Sequence, residues 1–154
     1  MELRCMGCMQ SKTNGPFEEN KTGLSVSGYE GTVPEQLVLP SAYNGVPVTA
    51  VDWYAFENCL ELKRVEIGKN ITTVNGTAFR CCENLTEVII GNDVTTIGNS
   101  AFAGCINLNS VSMGNRVTSI GGSYHSGKRY VYQRRCLLGL LRSEDCADSE
   151  KLQS

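Results

Sequence analysis

The sequence predicts a repeat solenoid, mostly β, and three observations carry that prediction. The first is a fixed period. Between Val51 and Ile120 one pattern is written three times at a spacing of 23 residues, marked by Ala55, Ala78 and Ala101, by Phe56, Phe79 and Phe102, and by Cys59, Cys82 and Cys105. The second is the apolar core of each copy. Leu62, Leu85 and Leu108, Val65, Val88 and Val111, Ile67, Ile90 and Met113, and Val74, Ile97 and Ile120 all keep the step. A period of about 20 to 29 residues with Leu-x-x-Val-x-Ile cores is the signature of a leucine-rich solenoid. The third is size, because one such coil cannot bury its apolar set alone and must stack it on the next as ladders.

The copy from Cys82 to Ile97, CENLTEVIIGNDVTTI, shows the elements in order. Leu85, Val88 and Ile90, with Thr86, Glu87 and Ile89 between them, make an apolar corner followed by alternation. That pattern suits a short strand with one buried face. Gly91-Asn92-Asp93 is turn chemistry. Val94 to Ile97 reads as a second short strand, and Gly98 to Cys105 is long enough for no more than a short helical turn. The three repeat cysteines fall where the chain turns inward, which predicts small buried filler and free thiols. Stacked coils lie about 4.8 Å apart, a spacing that alone permits a disulfide, but three equivalent cysteines cannot pair off evenly. Cys81, beside Cys82, should point outward.

Copies such as IGNSAFAGCINLNSVSMGNRVTSI, together with the lead-in GYEGTVPEQLVLPSAYNGVPVTAVDWYAFENC, resemble the BspA-type leucine-rich repeats. The resemblance runs from Leu24 to Ile120. It implies right-handed coils with a parallel strand ladder, in a microbial family associated with cell-surface adhesion and binding. It brings no catalytic residues with it.

Ahead of the repeats, residues 1–22 form a separate, mobile segment by this reading. Cys5-Met6-Gly7-Cys8 has the spacing that lets two thiolates reach one zinc from a tight turn. A closed site needs a second pair of ligands, and between Met9 and Val48 the sequence offers no other Cys and no His. Zinc at Cys5 and Cys8 then requires a dimer that pools two pairs. The alternative is a remnant without metal. A redox role would need a strand before the motif and a helix after it, whereas Gln10 to Lys21 reads as polar loop.

Residues 23–122 form the solenoid. Leu24 to Tyr29 alternates and reads as a first strand. Glu35-Gln-Leu-Val-Leu-Pro40 matches the later Val65-Glu-Ile67-Gly68 piece, with Leu37 and Leu39 in the buried places. The stretch from Leu24 to Pro47 is thus an incomplete capping coil with an insertion at Ser41 to Val46. Trp53 and Tyr54 occupy the loop positions held later by Asn99 and Ser100. They are candidates to anchor a ligand, or else they pack on Tyr43 within the cap.

After Ile120 the pattern stops. Residues 123–154 carry six of the 14 basic residues and four of the 16 acidic ones. Leu137, Leu138 and Leu141 fit one helical face. A capping helix, disorder, and a truncated or frame-shifted end of a longer array all remain open.

A net charge of −2 gives no reason to expect nucleic acid or an anionic membrane as partner. No run of 18 apolar residues predicts membrane insertion, and MELRCMGCMQ lacks the apolar stretch of a signal peptide. Read literally the chain stays in the cytoplasm, while the resemblance implies a cell surface. His125 is the single histidine, so a Ser-His-Asp or Cys-His site would have to be built from the irregular tail. The expectation is therefore a non-catalytic module that binds a protein or a glycan, with oligomers allowed and no cofactor unless zinc is bound. Its surface is expected along two outward columns of the strand ladder: Arg64, Glu87 and Ser110, and Glu66, Ile89 and Ser112. The opposite flank is expected to be broken by Gly-Asn turns and Phe-Cys corners.

Overall fold

The computed structural model describes residues 17–20, 23–29, 31–121, 123–125 and 128–130. Its strands are short. They are β1 (Phe17–Asn20), β2 (Gly23–Val26), β3 (Gln36–Leu39), β4 (Ala42–Tyr43), β5 (Val46–Val51), β6 (Arg64–Ile67) and β7 (Thr73–Val74). Then come β8 (Glu87–Ile90), β9 (Thr96–Ile97), β10 (Ser110–Ser112), β11 (Ser119–Ile120), β12 (Ser123–His125) and β13 (Lys128–Tyr130). Each coil contributes one strand to each of two ladders. One ladder runs β3-β6-β8-β10, and the other runs β1-β2-β5-β7-β9-β11 with β4 paired to β5. All pairings between coils are parallel, and from β6 onward every partner lies 23 residues away. The expected mostly-β solenoid is what forms, with about four turns.

Equal coil length brings the core side chains of each coil onto their counterparts in the next. Phe79 stacks between Phe56 and Phe102, with ring centroids 5.1 and 5.2 Å apart and planes within 8°. Leu62 and Leu85, Val65 and Val88, and Val74 and Ile97 line the same interior, all of them at most 2% exposed. The core is one long column.

The expected helical turns are not helices among the described residues. Each corner is held open by residues with positive φ: Tyr54, Thr77 and Ser100 in one row, and Asn58, Cys81 and Gly104 in another. Two left-handed residues four apart leave no run of right-handed backbone long enough to close a helix. The corners bond to the next coil instead. Phe56 N–H donates to the carbonyl of Ala78 at 2.7 Å, and Phe79 N–H to that of Ala101 at 2.8 Å.

The flank expected to be broken carries the second ladder. Its strands continue without interruption, and Thr72, Thr95 and Thr118 each donate a hydroxyl to the carbonyl 23 residues earlier, at 3.1 to 3.3 Å. Turn residues lie between the two ladders rather than across them. The Ser41 to Val46 insertion folds as a hairpin of β4 on β5, turned by Asn44 and Gly45, both at positive φ. That is the dipeptide a two-residue hairpin prefers. Phe17–Asn20, read from the sequence as polar loop, pairs antiparallel with β2. Cys5, Cys8 and Leu137 to Leu141 lie outside the described residues.

The row of left-handed corners gives a direct test. Cys81 pays the steric cost of φ 56° where Gly104 fills the same position one coil later. Left-handed backbone costs a non-glycine residue roughly 1 to 2 kcal/mol, and glycine loses roughly 0.5 to 1 kcal/mol of that advantage through chain entropy. Cys81→Gly should therefore stabilise the fold by about 0.5 to 1 kcal/mol. Equilibrium denaturation in urea checks it, and a loss of stability would mean that the Cys81 side chain makes contacts outweighing the strain.

Candidate binding surface

The outward face of β3-β6-β8-β10 is set by alternation. Val65, Ile67, Val88 and Ile90 point inward and are at most 3% exposed, so the residues between them must point out. Register then places Gln36, Arg64, Glu87 and Ser110 in one row. Val38, Glu66, Ile89 and Ser112 form the other. The six residues expected from the sequence do form two adjacent columns. Gln36 and Val38 extend them, and Val38 is 62% exposed. Their place follows from Leu37 and Leu39 being inward, a step that the sequence reading stopped short of.

The charges on this face answer one another. The Arg64 guanidinium lies 2.9 Å from the Glu87 carboxylate on the next coil and 3.6 Å from Glu66 on its own strand. Lys63 pairs with Glu35 at 2.8 Å on the adjoining corner. These groups are about one third to two thirds exposed, so each pair adds at most ~1 kcal/mol to stability. Their effect is positional: Arg64 is held between two carboxylates, and in the adjacent row Glu66 has Val38 and Ile89 as its apolar neighbours.

Trp53 and Tyr54 sit elsewhere, on the corner after β5, 53% and 58% exposed. The Trp53 ring lies where a side chain of Gly76 on the next coil would stand, so the missing Cβ of Gly76 seats the indole. Tyr54 is at φ 60°, which lifts it off the coil.

The repeat cysteines are more than apolar filler. Cys82 is buried, while Cys59 and Cys105 are half-buried, and these three and Cys81 are free thiols. The Cys82 Sγ–H donates to the carbonyl of Phe56 at 3.0 Å, and the Cys105 Sγ–H to that of Phe79 at 3.2 Å. Burial pushes the Cys59 thiol up to about 12. A hydrogen bond with Cys105, followed by burial, pushes the Cys82 thiol up as well. Thiolates are the reactive form, so Cys82 and Cys59 should react slowly with maleimide at neutral pH. Peptide mapping after timed labelling reads this out, and early modification of Cys82 would contradict its place in the ladder. Because the Cys59 thiol is neutral in the fold, its contribution to stability is complete below the usual thiol value and falls as pH rises from about 9 towards about 12.

Among the described residues no group of three His, Cys, Asp or Glu side chains is arranged to hold a metal ion, and no helix is long and apolar enough to cross a membrane. Residues 35–131 match the model of the BspA type leucine-rich repeat region, in six copies. The chain belongs to the BspA-type leucine-rich repeat family. Among solved structures, this BspA-type chain is similar to a leucine-rich repeat protein of T. pallidum, with 26% identity and a TM-score of 0.66 over 69% of this chain and 50% of the other. It is also similar to a leucine-rich repeat protein of Bacteroides ovatus, with 25% identity and a TM-score of 0.60 over 69% and 29%. A leucine-rich cell surface protein of Faecalibacterium prausnitzii shares the fold, with 22% identity and a TM-score of 0.59 over 75% and 33%. The BspA-type chain thus spans half the length or less of each of these proteins. No curated protein matches it.

Proposed function

We propose that this chain is a non-catalytic binding module whose partner, a protein or a glycan, engages the outward face of β3-β6-β8-β10. One observation supports the reading above others. Three in-register strands, β6, β8 and β10, carry Arg64, Glu66, Glu87, Ile89, Ser110 and Ser112 on one continuous face, with Arg64 fixed between two carboxylates. A rigid scaffold of this kind holds its contact groups in place before binding, so little ordering cost falls on association. Four strands offer a narrow face, near the small end of specific interfaces. Single copies should then bind modestly, and tight attachment should come from longer arrays or several copies. Attachment at a cell surface is the setting that the family suggests.

The test is a double charge reversal, Arg64→Glu with Glu87→Arg. It keeps an opposite-charge pair across β6 and β8 but sets the introduced carboxylate beside Glu66, so the face changes sign locally while the core is untouched. Capture of a partner found by pull-down should fall about tenfold or more, and the melting temperature should stay within a few degrees, because surface pairs carry little stability. Unchanged capture, with loss on Trp53→Ala and Tyr54→Ala, would move the site to the exposed aromatic corner and leave the ladder as scaffold. Zinc at Cys5 and Cys8 is the alternative for the N-terminal segment. Elemental analysis of purified protein tests it, and metal at half an equivalent per chain is the stoichiometry of a pooled pair.

A further inference from the structure

We infer that the last coil is an interface for a second copy of this chain, stacked end to end on it. The apolar set of that coil is left partly uncovered. Leu108, Val111, Met113, Val117 and Ile120 are only partly buried, whereas the equivalent Leu85, Val88, Ile90, Val94 and Ile97 are at most 3% exposed. Among the described residues both end strands, β10 and β11, are also ladder edges. Ser110 and Ser119 direct their N–H groups back to Thr86 and Thr95 at 3.0 and 3.1 Å. By alternation, the N–H groups of Val111 and Ile120 face the open side. The chain goes on to β12 and β13, but these pair with each other and extend neither ladder.

Charge says what kind of occupant fits. The coil from Asp52 to Val74 carries Asp52, Glu57, Glu61, Lys63, Arg64, Glu66 and Lys69. The next, from Asn75 to Ile97, carries Arg80, Glu83, Glu87 and Asp93. The last, from Gly98 to Ile120, carries Arg116 alone, and Arg116 is paired to Asp93 of the coil before it at 3.5 Å. Edge strands that meet only water are usually protected by charge or proline. Ser110-Val111-Ser112 and Ser119-Ile120 have neither. Two such ends meet without repulsion. A two-fold axis passing through both end strands sets β10 antiparallel to its copy and β11 antiparallel to its copy, and brings the two apolar sets together. The contact is self-complementary and closes at two copies. It would also double the ladder face, which is independent of what that face binds.

The experiment uses the full chain. Sedimentation velocity over about a hundredfold range of concentration should show a dimer fraction that rises with concentration. Hydrogen exchange under the same conditions should show protection of the Val111 and Ile120 amides rising in step. Val111→Lys puts like charges opposite one another in the pair and should give monomers. Because the substitution falls in a partly exposed position, circular dichroism should keep its β spectrum. Mixing Val111→Lys with Val111→Glu should restore dimers, which a merely misfolded variant could not do. A monomer at every concentration overturns the inference, as does failure of the mixture to pair. Protection at Val111 and Ile120 that is independent of concentration also overturns it, because the cover would then come from the chain's own residues beyond Tyr130.

Discussion

Replacing Phe79 by Ala should lower the unfolding free energy by about 3 to 5 kcal/mol, the range for deleting a core phenylalanine. The position argues for the upper half of that range. Phe79 is fully buried and stacked on both faces, at 5.1 Å from Phe56 and 5.2 Å from Phe102. Its removal therefore opens a gap with aromatic walls on two sides. The neighbours cannot close in, because the corners carrying them are tied by backbone hydrogen bonds such as Phe79 N–H to Ala101 at 2.8 Å. In a stack where each coil leans only on its neighbours, a weak middle coil uncouples the ends. Denaturation should thus become less cooperative as well as easier. Thr96→Ala on the outer face is the control, and a Phe79→Ala loss no larger than that of the control would refute the stacked core.

Gly91→Ala should cost roughly 2 to 3 kcal/mol, the upper part of the usual overpacking range. The glycine is there for proximity. A Cβ at this position would come within 2.6 Å of the Ile67 carbonyl and 2.9 Å of that of Gly68, both backbone atoms of the preceding coil. Relief requires the two coils to part, and that stretches the Gly91 N–H bond to Ile67, now 2.8 Å long. Gly45→Ala makes the comparison, since Gly45 has φ 81° but open space around it. Its cost should stay near the ~1 kcal/mol of left-handed backbone. Equal losses for the two variants, measured by urea denaturation, would show that the coils separate freely and that close approach is not what fixes glycine here.

The columns of the candidate surface were legible because strand alternation and a constant coil length are both written in the sequence. Once Val65 and Ile67 are inward, Arg64 and Glu66 are outward, and a step of 23 residues finds their neighbours. Electrostatic pairing was a different matter. That Arg64 reaches both Glu66 and Glu87 depends on side-chain reach across coils. The seat of Trp53 depends on a glycine one coil away. Neither relation has a local signature.

The sequence by itself determined the repeat, its length and the inward set, because each is a periodic pattern of side-chain polarity. The tertiary structure alone decided the corners and the edges. A segment such as Trp53 to Asn58 has no strand alternation or helical spacing within itself, so its path is set by left-handed residues and by bonds to the coil above it. The antiparallel pairing of Phe17–Asn20 on β2 arises for the same kind of reason. An edge strand offers unpaired backbone groups to any segment that can reach them, and backbone hydrogen bonding is blind to the polarity pattern from which a sequence is read.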